Sequence, residues 1–256
     1  MNLQRQTMIK EKIKDCMLFK FNSYRPETTN KPFHYRLLGK DRMAVYSFIH
    51  SLNTTFGMSI YEQVATALAH DRFKRADSQV KTYSKISTRA HQQIQTIINR
   101  LGNKNINSDK PLEIQEIRKV CRNGTLEDVD LPKVDVWLEN HEDQLFLFDL
   151  KTVKPNKSNF KDFKRTLLEW TAAEFARDPD IVINTMIGVP YNPYEPKPYK
   201  RWTLEGMLDM EHDILIAEEL WDFIGGEGTY VDLLDAFEKA GIELRDEIDE
   251  YFEQFS

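Results

Sequence analysis

Apolar side chains at Met8, Ile9, Ile13, Met17 and Phe21 recur close to every third or fourth position, a spacing that predicts a helix over residues 3–22. Similar spacing predicts helices over about 41–51, 59–74 and 87–101, the last stopped by Leu101-Gly102. The pattern then changes. Residues 133–139 (KVDVWLE) and 144–152 (QLFLFDLKT) are dense in Val, Phe, Trp and Leu and flank the turn-like Asn140-His141-Glu142-Asp143, so they read as two strands. Leu145 and Leu147 share one face of the second run and Phe146, Phe148 and Leu150 the other, which suits a central strand covered on both sides. A helix over 159–177 with Phe163, Leu167, Trp170 and Phe175 inward, a strand over 181–189 and an extended loop over 190–200 follow. Helices over 203–224, 229–240 and 242–254 complete the chain. The sum is an α/β (α+β mixed) architecture, a small mixed sheet flanked by many helices, expected as a single domain over 1–256. Within it, 1–125 is mainly helical, 126–200 holds the sheet and the helix after it, and 201–256 is acidic and helical.

Composition narrows the class. A chain of 256 residues that is 41% hydrophobic can bury a sizeable core. No apolar run approaches the roughly 18–20 residues that span a bilayer, and the charged stretch Met1 to Cys16 does not read as a signal peptide. Cys16 and Cys121 match neither a disulfide framework nor a metal-ligand spacing, so two reduced thiols in a cytoplasmic protein are expected. The net charge of −6 averages unlike parts. From Glu205 onward 17 acidic residues face only Lys239 and Arg245, which leaves 33 basic against 24 acidic residues in 1–204. A basic body could meet phosphates; the acidic end suits solvent-facing helix surfaces.

The predicted central strand contains an anomaly. Asp149 and Lys151 interrupt it two residues apart, hence on one face, and a buried carboxylate and ammonium are costly unless paired or bound to a metal. The preceding strand supplies Asp135. If the connecting loop is residues 140–144, antiparallel pairing sets 139 opposite 145 and 135 opposite 149, with the two carboxylates about 5 Å apart at Cβ; a four-residue loop would turn Asp135 to the other face. Two carboxylates and a lysine converging this way suit phosphodiester hydrolysis. Hard oxygen ligands hold Mg²⁺, which lowers the pKa of a bound water, while the lysine orients that water or offsets developing charge.

Asp135, then Asp149-Leu150-Lys151 on the next strand, then a helix, resembles the PD-(D/E)xK nucleases, as found in type II restriction endonucleases. One departure is visible: Val134 precedes Asp135, and the proline is displaced to Pro132. Gly57-Met58-Ser59-Ile60-Tyr61-Glu62-Gln63 and Asp149 through Asn156 are further similar to TdeIII-like restriction enzymes. The resemblance implies cleavage of double-stranded DNA at a short palindromic site, with Asp135, Asp149 and Lys151 catalytic and Mg²⁺ (Mn²⁺ substituting) held by Asp135, Asp149 and the Leu150 backbone carbonyl. It also implies a homodimer, whose two-fold symmetry would match the DNA, a GGNCC-type target, and a cognate methyltransferase acting on the same site without stable contact. Pro179-Asp180 with Glu195-Pro196-Lys197 fits the literal motif better, but a segment carrying Pro193, Pro196 and Pro198 cannot be a central strand.

Two readings of Glu62 stand side by side. It supplies an extra acidic group to the metal, or, as the last member of Ser59-Ile60-Tyr61-Glu62, it caps its own helix. His34, His50, His70 and His91 show no paired spacing and read as ordinary. DNA contacts are expected from Lys154, Asn156, Lys157, Lys161, Lys164 and Arg165 after the active-site strand, and from Lys197, Lys200 and Arg201 in the proline-rich loop. Arg72, Lys74, Arg75, Lys81, Lys85 and Arg89 form a third basic group. The rival readings are a structure-specific or repair nuclease of the same fold and a non-catalytic DNA-binding or assembly protein.

Overall fold

The structure, a computed structural model, describes residues 3–56, 60–103, 106–151, 160–199 and 206–255. Helices α1 (Leu3–Ser23), α2 (Pro32–Leu38), α3 (Lys40–Thr55) and α4 (Tyr61–Ala69) precede strand β1 (Arg75–Val80). Strand β2 (Lys85–Ser87), helices α5 (Thr88–Leu101) and α6 (Lys110–Arg118) and strand β3 (Leu126–Asp128) come next. The hairpin β4 (Val134–Glu139) and β5 (Leu145–Leu150) leads to α7 (Phe160–Arg177), β6 (Ile183–Val189), β7 (Ile214–Ile216), α8 (Glu218–Gly225), α9 (Thr229–Glu243) and α10 (Arg245–Glu253).

Five strands form one mixed sheet in the order β1-β4-β5-β6-β7, antiparallel across the first three and parallel from β5 onward; β2 and β3 pair separately. The alternation within β5 sorts its side chains as the pattern predicts. Leu145 and Leu147 pack with α5, α6 and α7 residues such as Ile97, Ile117 and Leu167, while Phe146, Phe148 and Leu150 pack with Ile9 of α1, Leu68 of α4 and Trp221 of α8. The sheet is therefore sandwiched between two helical layers. Ser87 caps α5 by accepting from the Ala90 N–H, and Asp109 caps α6 by accepting from Leu112. Where the chain ends meet, Phe21, Phe48 and Tyr251 stack α1, α3 and α10 together. Part of the acidic end has partners on α1, since Lys10 and Lys14 both donate to Glu243.

Two expectations need correction. The helix expected over 203–224 is instead turn, strand and helix: Ile214–Ile216 pairs with β6, and Ala217, at φ +50°, breaks the chain before α8. Residues 203–205 lie outside the described residues. Its apolar spacing imitated a helix because a short, partly buried strand and an amphipathic helix lie end to end. The helix expected over 59–74 stops at Ala69, and residues 70–74 turn into β1. Strand β1 itself was absent from the hydrophobic pattern because it is a polar edge strand, RADSQV, largely open to solvent. Among the described residues, no helix is long and apolar enough to cross a membrane.

Candidate active site

The site begins in the β4–β5 turn. Asn140 Oδ1 accepts the backbone N–H groups of Glu142 at 3.1 Å and Gln144 at 2.8 Å, and Asp143 takes the left-handed φ of +59°. This five-residue loop pairs Glu139 with Leu145 and Val136 with Phe148, so the next step of the register sets Asp135 across from Asp149. Asp135 Oδ2 accepts the Leu150 N–H at 2.8 Å, tying the carboxylate to the neighbouring strand. Lys151 Nζ donates to Asp149 Oδ1 at 2.5 Å and sits 5.0 Å from the centre of the Phe163 ring. From the helical layer behind, Glu62 of α4 reaches the same place. Gln79 of β1 joins the two groups: its Nε2 lies 3.0 Å from each Glu62 oxygen and 3.1 Å from Asp135 Oδ1.

Burial dominates the electrostatics. Asp149 is 7% exposed, and burial lifts its pKa to about 6; Lys151 pulls it back down while Asp135 pushes it further up. Glu62, 4% exposed, is raised by burial to about 7, with the Gln79 hydrogen bonds lowering it and Asp135 raising it. These groups line a cleft of about 1190 Å³ whose other walls include His50, Asn53 and Thr54 of α3 and Tyr191 after β6. Among the described residues, no three His, Cys, Asp or Glu side chains are already gathered as a metal cluster. That donor set still fits Mg²⁺, which binds through one or two carboxylates, keeps several waters and takes the rest of its shell from substrate phosphate. Among the described residues the cleft wall carries Glu62, Asp135 and Asp149 against Lys133 and Lys151, an excess of carboxylate that points the same way.

The expected residues divide. Asp135, Asp149, Lys151 and Glu62 come together. No side chain caps α4 at Ile60, and Glu62 turns to Gln79 instead; Ser59, the other half of the expected capping box, lies outside the described residues. Lys164 is a correction. It is fully buried, bonded to Glu113, Asp213 and Ser108, and so cannot touch DNA. Its place on the inward face of α7 was hidden because the acidic partners come from α6 and from the segment before β7, distant in sequence. Lys161 and Lys197 are exposed, and Arg165 donates to Gln95 at 2.8 Å. Lys154, Asn156, Lys157, Lys200 and Arg201 lie outside the described residues. In the third basic group Lys74, Arg75, Lys81 and Lys85 each pair with a carboxylate. Of the alternative motif, Asp180 is in an exposed turn and Glu195 accepts from the Tyr230 hydroxyl; neither lines the cleft. The pattern overlooked Gln79, His50, Asn53 and Thr54. Gln79 sits in the polar strand, and His50 reads as ordinary until α3 is placed beside the hairpin.

Comparison with known proteins adds an independent line. A sequence model described as "Type II restriction endonuclease, HinfI" matches residues 1–241. The type II restriction enzyme HgiEI of Herpetosiphon aurantiacus is 25% identical over 238 residues, 89% of this chain and 84% of its own. HgiCII of the same organism is 22% identical over 222 residues, 85% of this chain and 80% of its own. The type II restriction enzyme MjaII of Methanocaldococcus jannaschii is 30% identical over 200 residues, 72% of this chain and 51% of its own, so the chain spans about half of that relative. The family description names HinfI, and the finer TdeIII-like likeness rests only on the residues that suggested it.

Proposed function

The chain belongs to the HinfI family of type II restriction endonucleases, and from that premise we propose that Asp135, Asp149 and Lys151 form the centre at which it hydrolyses DNA. The family makes the protein a site-specific deoxyribonuclease acting on double-stranded DNA. The observation that carries the site assignment is the hairpin register, which brings the two aspartates of adjacent strands together with Lys151 in one cleft.

Asp135 and Asp149 would hold Mg²⁺, or Mn²⁺ in its place, with the Leu150 carbonyl and Glu62 as further oxygen donors. When bound, the ion supplies an acidified water and neutralises charge on the phosphate. Lys151 orients the attacking water and stabilises charge developing on the phosphate oxygens. Asp149 holds the Lys151 ammonium in place through their 2.5 Å bond, and the Leu150 N–H fixes the rotamer of Asp135. Lys161, Arg165 and Lys197, with Lys154, Asn156, Lys157, Lys200 and Arg201, are the proposed DNA contacts, the phosphate-directed ones setting affinity. The whole chain is taken as one endonuclease domain acting in the cytoplasm as a homodimer on a palindromic site, with its cognate methyltransferase acting separately on that sequence.

Incubating the protein with mixed plasmid DNA and Mg²⁺ tests this reading. Discrete fragments that vanish in excess EDTA are expected. Full cleavage in EDTA overturns the metal site, and a smear or structure-dependent nicking overturns the site-specific reading for this chain.

A further inference from the structure

Gln79 stands where no apolar periodicity would mark it. It lies in edge strand β1 between Ser78, paired with Val136, and Val80, paired with Val134, and is therefore directly across from Asp135. Its backbone takes φ +57°, a left-handed conformation that costs a long L side chain energy and that in folded proteins collects at functional sites. This conformation sends the carboxamide between two acids. One nitrogen lies within 3.1 Å of both Glu62 oxygens and of Asp135 Oδ1, so those oxygens stand no more than about 6 Å apart. An amide nitrogen carries two hydrogens, so three acceptors share them. Each carboxylate oxygen keeps lone-pair capacity beyond the bond it accepts from Gln79. Asp149, bonded to Lys151, is left out of the arrangement.

We propose that Gln79 is a positioning residue of the metal site: its carboxamide fixes Glu62 and Asp135 at a set separation, so that a divalent cation meets preset ligands. This rests on the reading above that Asp135 and Asp149 hold the ion. A hydrogen bond from outside the coordination shell fixes the orientation of a ligating carboxylate, and losing such a partner weakens metal binding about 10–100-fold. A purely structural role, tying α4 to the sheet edge through Glu62, would instead show as lost stability with metal affinity intact.

The test uses the full chain without DNA and reads Tb³⁺ binding by luminescence, sensitised by Tyr61 and Tyr191 in the cleft wall, beside the melting temperature in EDTA. Gln79→Gly removes the amide while suiting the left-handed backbone. It is expected to weaken Tb³⁺ binding tenfold or more with a melting temperature unchanged or higher. Gln79→Asn also tolerates this backbone but carries an amide one methylene short, and it is expected to lose affinity similarly. Asp149→Asn is the control for the underlying site. If Asp149→Asn loses Tb³⁺ while Gln79→Gly binds it as tightly as wild type or more so, the inference about Gln79 is overturned and the site stands. If Asp149→Asn also keeps wild-type affinity, the metal site itself is misassigned and the inference falls with it.

Discussion

Two clusters of lysines and carboxylates sit against the same sheet, and they behave oppositely. In the sealed one, Lys110 and Lys164 face Glu113 and Asp213. Lys110 Nζ reaches Asp213 at 2.6 Å and the Thr185 hydroxyl at 3.0 Å, while Lys164 Nζ reaches Glu113 and Asp213 at 2.5 Å each. Charges balance two against two, out of contact with water. Burial alone would raise the Asp213 pKa, but Lys110 and Lys164 outweigh it and hold that carboxyl below its ordinary value. In the open cluster Lys151 pairs with Asp149 while Glu62 and Asp135 are held by the neutral Gln79, and burial wins over the lysine, leaving Asp149 at about 6. A charge set that neutralises itself is architecture. One that leaves carboxylate in excess on a cleft wall is stabilised further by a cation from outside, as the proposed site requires.

Exchanging the loss of one lysine between the clusters should produce the largest effects. Lys151→Ala is expected to lower single-turnover cleavage about 100–1,000-fold, the usual result of removing one preorganised charge from a transition state, with a smaller fall in melting temperature than Lys164→Ala because this pair is partly open to solvent. Lys164→Ala should do the reverse. Leaving buried Glu113 without its ammonium partner, and Asp213 with Lys110 alone, costs about 3–5 kcal/mol, roughly a 10 °C fall for a chain of this size, while cleavage per folded molecule stays near wild type. Calorimetry and single-turnover assays on both proteins check the pair. A stable Lys164→Ala protein with weak DNA affinity would restore the DNA-contact role that its burial contradicts.

How much of this was legible before folding follows the same division. The hairpin and the candidates Asp135, Asp149 and Lys151 could be read because β4 and β5 are adjacent in sequence and charged residues interrupt otherwise apolar strands, while the register stayed conditional on the length of the loop. The Asn140 turn then fixed the loop at five residues. Glu62 was legible as a candidate but not as a choice between two roles. The sealed cluster was illegible, because Lys164 meets partners some 50 residues away on either side and its neighbours Lys161 and Arg165 read as one basic run. Gln79 was hidden in an edge strand whose polar side chains carry no period. The strand β7 was missed because three apolar residues ahead of a helix have no period of their own.

A smaller effect separates the clusters by pH. In the proposed site Asp149 and Glu62 bind the metal in their ionised forms, so the cleavage rate should climb between about pH 5 and pH 8 as groups near 6 and 7 lose their protons. In EDTA the stability change has the opposite sign. The folded pKa values lie above the unfolded ones, so this contribution is present in full below the ordinary carboxylate range and is lost as pH rises through about 6 and 7. Asp213, lowered, contributes stability at neutral pH that is lost only as pH falls below the ordinary range. Melting curves in EDTA for wild type and for a Glu62→Gln, Asp149→Asn double variant should converge at low pH and separate above pH 6, the variant being the more stable. Parallel curves would contradict the assignment.

Smallest should be Lys161→Ala. Exposed at the start of α7, this lysine is expected to contribute one phosphate contact, so its loss should weaken DNA binding and flatten the salt dependence by about one unit of slope. Gel shifts over a salt series with catalysis suppressed by Ca²⁺ measure it, and an unchanged slope would place Lys161 in solvent.

Asp149→Asn tests the central claim most directly. With cognate DNA saturating and Mg²⁺ present, cleavage should fall to background while gel shifts still separate specific from non-specific duplexes, because the proposed DNA contacts are other residues. Cleavage at the wild-type rate with specific binding lost would make Asp149 a recognition residue, and the hydrolytic centre would have to be sought outside the β4–β5 hairpin.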